Sequence, residues 1–125
     1  MIVGTGVDIL EVTRMEEAIS RFGERFLSRV FTEAEIAYCN TKRNRAERFA
    51  ARFAAKEAAM KALGTGVGRG VSWQHIEVRR EPGGRPTIMF SKAAAQIAAQ
   101  LGAKRVSLSL SHTPEHAIAQ VILES

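Results

Sequence analysis

Four residues of this chain are of a type, and in a setting, that could do chemistry: Asp8, Lys56, Glu57 and Lys61. Three of them lie in Arg45–Gly70, RAERFAARFAAKEAAMKALGTGVGRG. Phe49, Phe53, Lys56, Met60 and Leu63 share one stripe at helical spacing, so a lysine occupies the middle of an apolar face. Glu57 and Lys61 stand beside that stripe, four residues apart and hence neighbours. Asp8 would share a strand face with Gly4 and Gly6, which sets a carboxylate beside bare backbone. Two carboxylates without a cysteine–histidine cluster suit a hard cation of the magnesium kind, which also binds phosphate oxygens. With the lysines and the glycine loop they read as a magnesium-assisted site for a phosphate-bearing molecule. Plainer roles stand beside these. Asp8 could be a strand-end turn residue or a helix cap. Glu57 and Lys61 could be a surface ion pair worth about 0.3 kcal/mol. Spacing leaves both sets of roles open, and it does not bring Asp8 to Glu57.

The two glycine-rich stretches are not nucleotide fingerprints. GTG at Gly4–Gly6 has no third glycine opening a helix, and its acidic residue follows too soon. Gly64, Thr65 and Gly66 begin GTGVGRG, which follows a helix, so it is neither a Walker loop nor a Rossmann turn. Gly64 suits a helix C-cap. The loop beyond it is either a plain connector or a set of backbone N–H groups turned toward an anion.

These residues need elements to hold them. The spacing predicts a first strand over 2–10 and a short helix from a Thr13–Glu16 capping box to about Phe22, before Gly23. A further helical turn or two over 24–31 follows, then a second capping box at Thr32–Glu35 opening a helix that ends near Cys39. Residues 40–44 are a polar connector. The long Ala-rich helix from Arg45 runs to Gly64 with no Pro or Gly inside it. Trp73–Arg80 alternates as a strand, turns through 81–86 and returns over Thr87–Phe90. Ser91 caps a helix that stops at Gly102. Val106, Leu108 and Leu110 alternate with serines in a strand, and Ala117–Leu123 runs back antiparallel after the His112–His116 turn. The order β, helices, β-hairpin, α, β-hairpin predicts an α+β fold, one long central helix and others packed on a largely antiparallel sheet, in a single domain over 1–125.

Composition narrows the partners. The 125 residues are 46% hydrophobic and 25% charged, which excludes disorder, and the net charge of +5 favours anionic partners. No stretch approaches the ~20 apolar residues of a membrane span, and the N-terminus lacks a signal-peptide pattern, so a cytoplasmic protein is expected. The one cysteine, Cys39, gives no internal disulfide. Arg14 and Arg21, seven apart, project from one side of the first helix, as a solvated basic face or as a docking face. A basic nucleic-acid-binding module is the rival class, but the aromatics sit at core spacing and are not interleaved with the basic residues.

At these motifs the chain resembles the holo-[acyl-carrier-protein] synthases, the short bacterial kind of 4′-phosphopantetheinyl transferase. GTGVDILEVTR at Gly4–Arg14 is similar to the family's first motif and RFAAKEAAMKALGTGVG at Arg52–Gly68 to its second and most specific one. RFLSRVFTEAE at Arg25–Glu35 and SLSHTPEHAIAQVI at Ser109–Ile122 resemble its intervening helices and closing hairpin. Agreement is poorest over Asn40–Ala46 and Ile88–Gln100. The resemblance implies transfer of 4′-phosphopantetheine from coenzyme A to a serine of apo acyl carrier protein, releasing adenosine 3′,5′-bisphosphate. It implies Mg²⁺ on Asp8 and Glu57, Glu57 as proton acceptor, and Lys61 on the leaving pyrophosphate. Lys56, Arg52 and Gly64–Gly66, Thr65 included, would hold the nucleotide half. Pro86 and His112 would reach the same nucleotide from elsewhere, across a subunit boundary. Arg14 and Arg21 would meet the acidic carrier protein. A homotrimer with active sites between subunits is also implied, without nucleic-acid or membrane partners.

Overall fold

The computed structural model describes all residues, Met1–Ser125. The first strand, β1 (Ile2–Glu11), carries two glycines where the long helix crosses it. A Cβ on Gly6 would stand 1.9 Å from the carbonyl oxygen of Ala58, and one on Gly4 2.2 Å from that of Ala62. Only bare backbone on the strand and alanine on the helix allow this approach. The helix is the third of the chain, after α1 (Val12–Val30) and α2 (Glu33–Asn40), and α3 spans Arg45–Leu63 as expected. Gly64 ends it in the left-handed conformation, φ 78°, so its lack of a Cβ is used.

A three-stranded antiparallel sheet, ordered β1–β5–β4, is built from β1, β4 (Arg105–His112) and β5 (His116–Glu124). A separate antiparallel pair is formed by β2 (Ile76–Arg80) and β3 (Pro86–Phe90), with α4 (Lys92–Gln100) following. The α+β expectation holds, with the strands divided between two sheets. The period-2 pattern puts Ala117, Ala119, Val121 and Leu123 of β5 inward. Ala119, Val121 and Leu123 join Ala54, Ala58, Ala59 and Met60 of α3 in one apolar cluster. A second cluster, Met15, Leu27, Phe31, Cys39 and Phe49 among it, packs α1 and α2 against the N-terminal half of α3. No helix is long and apolar enough to cross a membrane.

Two local expectations change. The Thr13–Glu16 capping box does not form, because β1 runs on to Glu11 and the helix starts at Val12, whose N–H bonds Glu115 O at 2.9 Å. The helical segments on either side of Gly23 are those expected, joined by a kink at φ 58°, ψ −139°. Trp73–His75 is a 3₁₀ turn and not part of the strand, since His75 N–H turns back to Ser72 O at 3.1 Å. The Thr32–Glu35 capping box is present in both directions.

Candidate active site

Asp8 lies inside β1, opposite Ala119, so it is neither a turn residue nor a cap. Glu57 and Lys61 share one side of α3, a 40° offset at 3.6 residues per turn. The close seating of α3 on β1 brings Lys61 Nζ to 3.1 Å from Asp8 Oδ1 and 3.0 Å from Val7 O. Lys61 therefore bonds across to the strand, and no Glu57–Lys61 hydrogen bond forms. Glu57 is half-buried, and burial first, then the charge of Asp8, hold its carboxyl above the usual carboxylate range. Lys61 and Arg14 oppose that shift. The charges of Asp8, Lys61 and Arg14 thus all act on the Glu57 carboxyl. A cleft of about 390 Å³ runs between α1 and α3, with Leu10, Arg14, Phe26, Phe53 and Glu57 among its walls. A second hollow, about 320 Å³, lies against Lys61, Thr5, Val7 and Gln120.

Lys56 is enclosed: its side chain is 0% exposed and its ammonium is engaged by groups of the same chain. Nζ sits 2.7 Å from Glu35 Oε1 and donates to Ile76 O at 2.6 Å and Trp73 O at 3.1 Å. Burial pulls the lysine below its usual value, and Glu35 opposes that. Glu35 also accepts from Thr32 N and Val78 N, each at 2.8 Å. The lysine in the apolar stripe thus joins α2, α3 and β2 inside the protein.

The remaining residues fall elsewhere on one chain. Arg52 is turned ~140° around α3 from Glu57. It is buried, with its guanidinium 4.3 Å from the Tyr38 ring centre and its Nε without a partner. Burial pushes the Tyr38 phenol up, but Arg80, Lys42 and Arg52 outweigh it and hold the phenol below its ordinary value. Gly64, Thr65 and Gly66 follow Lys61 at the end of α3, with Gly66 also left-handed, φ 59°. Pro86 opens β3 beside a groove of about 480 Å³ shared with Ser107 and Ser109 of β4. His112 ends β4 and bonds Glu47 in the first turn of α3. About 15 Å of helix separates Glu47 from Glu57. Arg14 and Arg21 are exposed on the first half of α1.

The structure thus gathers Asp8, Glu57, Lys61 and Arg14, and leaves Arg52, Pro86 and His112 apart from them. Sequence reasoning missed Glu35, Tyr38 and Glu47. The capping box gave Glu35 a local role only, and no spacing rule pairs Tyr38 with Arg52 or Glu47 with His112.

The description of the 4′-phosphopantetheinyl transferase superfamily matches residues 4–121. The chain is 62% identical, over 124 residues covering 99% of each sequence, to the holo-[acyl-carrier-protein] synthase of Koribacter versatilis. Its fold is similar to the crystal structure of the Neisseria meningitidis holo-[acyl-carrier-protein] synthase, with a TM-score of 0.91, 34% identity and full coverage of both chains. It is also similar to a Bacillus anthracis holo-(acyl-carrier-protein) synthase solved in complex with CoA (3′,5′-ADP). There the TM-score is 0.83 and the identity 41%, over 100% of this chain and 98% of that one.

Proposed function

This chain belongs to the 4′-phosphopantetheinyl transferase superfamily, and from that premise we propose that it transfers 4′-phosphopantetheine from coenzyme A to a serine of apo acyl carrier protein. The observation that carries this is the juncture of Asp8, Glu57 and Lys61 where α3 meets β1. The two carboxylates fit a hard divalent cation: both are oxygen donors, and Asp8 already raises the Glu57 carboxyl by repulsion that a dication would relieve. Asp8 and Glu57 would hold Mg²⁺, whose chemistry there is to neutralise the pyrophosphate and polarise a phosphoryl oxygen.

The chain's own groups account for the rest. Glu57, beside the cation and facing the cleft, is the group on this chain placed to accept the serine proton. The serine oxygen forms the new bond to the phosphorus that carries pantetheine. The bond from that phosphorus to the bridging oxygen breaks, and adenosine 3′,5′-bisphosphate leaves. Lys61, more than half exposed and so free to exchange partners, meets the charge that develops on the departing phosphate. Phosphoryl transfer is chiefly positioning and charge stabilisation, so no covalent nucleophile on the enzyme is needed. Arg52 and Gly64–Gly66 would hold the nucleotide half, and Arg14 and Arg21 would steer the acidic carrier protein to Glu57.

We further propose that the whole chain acts as one domain and assembles as a homotrimer. Val7, Ile9 and Ile118 stand 54%, 63% and 44% exposed on the sheet face turned away from α3. They offer apolar surface to a second copy, with serines of β4 beside them. Pro86 and His112, distant from Glu57 on one chain, would then meet the nucleotide from a neighbouring subunit. A cytoplasmic enzyme serving fatty acid biosynthesis is the setting that fits. The test is incubation with coenzyme A, Mg²⁺ and an apo carrier protein. A carrier heavier by one phosphopantetheine supports the proposal, and an unchanged carrier refutes it.

A further inference from the structure

His112 lies at the end of β4, in the alternation that turns Leu108 and Leu110 toward α3 and the serines away from it. Its Nδ1 is 2.6 Å from Glu47 Oε1, and both side chains are largely covered. Glu47 has arginines next to it on the helix, yet none is paired with it. Arg45 donates to Asn40 Oδ1 at 2.6 Å and Arg48 to Asn44 Oδ1 at 3.3 Å. The two asparagines draw off the nearest guanidiniums and leave the carboxylate to the imidazole. The Glu47 carboxyl is held below the usual carboxylate range by the His112 hydrogen bond first, with burial opposing and Asn44 assisting. It is therefore ionised throughout the neutral range, and an ionised carboxylate can only accept. The ring must then donate from Nδ1. Nε2, the other nitrogen, has no protein partner.

We propose that Glu47 is a positioning residue for coenzyme A: its carboxylate accepts a hydrogen bond from Nδ1–H of His112, fixes the ring, and leaves Nε2 as the atom offered to a phosphate oxygen of the nucleotide half. This rests on the assignment of His112 to the nucleotide in the proposed function. A carboxylate behind a histidine sets which nitrogen is free and where it points. When the ring carries both protons, Nε2–H donates to phosphate in a charge-assisted bond. Glu47 itself touches no ligand and acts only through the ring.

The experiment titrates coenzyme A into the full-length protein by calorimetry for wild type, Glu47→Ala, Glu47→Gln, His112→Ala and Glu47→Ala/His112→Ala. Loss of one oriented hydrogen bond should weaken binding about fivefold in Glu47→Ala. The double variant should bind no worse than His112→Ala, since Glu47 has nothing left to position. Glu47→Gln, whose amide oxygen still accepts from Nδ1–H but carries no charge to favour the doubly protonated ring, should recover part of the affinity and bind more tightly than Glu47→Ala. In steady-state transfer the Glu47→Ala loss should fall on KM for coenzyme A and not on kcat. Additive losses in the double variant would overturn the proposal. So would wild-type affinity in Glu47→Ala beside a weakened His112→Ala, which leaves the nucleotide assignment of His112 standing. Wild-type affinity in His112→Ala removes that assignment and the proposal with it. Nitrogen-15 spectra of the His112 ring in the wild-type protein need no variant. A protonated Nδ1 at neutral pH is expected, and an unprotonated Nδ1 overturns the proposal whatever the affinities.

Discussion

Replacing Gly6 with alanine tests the link between packing and chemistry in this chain. The new Cβ would stand 1.9 Å from Ala58 O and 2.9 Å from both Ala58 C and Ala62 N, all backbone atoms of α3. Helix backbone cannot rotate aside as a side chain can. α3 must retreat from β1 by about 1.1 Å to bring the closest contact to 3.0 Å, the lower limit of real Cβ contacts. Overpacking of this kind costs about 1–3 kcal/mol, and an obstacle made of backbone belongs at the upper end. For a chain of this length that lowers Tm by roughly 10 °C. The retreat also carries Lys61 and Glu57 away from Asp8, whose present spacing to Lys61 is 3.1 Å. A displacement of ~1 Å at a reacting centre costs on the order of 100-fold in rate. Gly4→Ala, with its nearest contact at 2.2 Å, should be damaging but milder. Gly68→Ala meets nothing closer than 3.8 Å and serves as the control. Calorimetric melting and phosphopantetheine transfer kinetics on the three variants read both effects. Wild-type stability and turnover in Gly6→Ala would refute the account of how strand and helix set the site.

Three further outcomes are expected. Lys56→Met strands the Glu35 carboxylate without its cation in the interior and should cost about 3–5 kcal/mol in urea unfolding, whereas Glu35→Leu/Lys56→Met should recover most of it. A double variant as unstable as the single one would show that the pair itself holds the fold. Glu57→Gln should abolish transfer yet raise the Tm of metal-free protein at neutral pH. The Glu57 carboxyl is raised on folding, so the folded state binds more protons between the ordinary carboxylate value and the raised one. Stability falls as pH climbs through that window, and a neutral glutamine removes the cost; a lower Tm would contradict it. Arg14→Ala should weaken carrier-protein binding more than coenzyme A binding, with a flatter dependence on salt. Equal losses for the two substrates would place Arg14 in the nucleotide site.

What could be read from the sequence was whatever depends on local spacing. The 3.6-residue period found α3 to its last residue, and Gly64 marked its end. The Thr32–Glu35 box and the antiparallel closing hairpin were equally plain. The Thr13 box failed because β1 runs on to Glu11 and the helix has already begun at Val12, so Thr13 stands inside the first turn and not at the N-cap. Trp73–His75 alternates like a strand, but its chain turns over the Lys56 ammonium, a partner 17 or more residues away. Asp8, Glu57 and Lys61 were marked by residue type, and their meeting depends on Gly4 and Gly6 admitting α3. Periodicity flagged Lys56 as an anomaly, but its explanation lies in Glu35, which a capping motif had accounted for locally. Glu47 was invisible for a similar reason: its partner stands on a strand 65 residues away.

The most direct measurement is mass spectrometry of an apo acyl carrier protein incubated with coenzyme A and this protein, with Mg²⁺ and then with excess chelator. Wild type should add one phosphopantetheine to the carrier serine with Mg²⁺ and none with chelator. Asp8→Ala and Glu57→Ala should add none while melting as folded proteins. Transfer undiminished in either variant at low Mg²⁺ would contradict the site. An unmodified carrier with wild type, beside tight salt-sensitive RNA binding, would contradict the function.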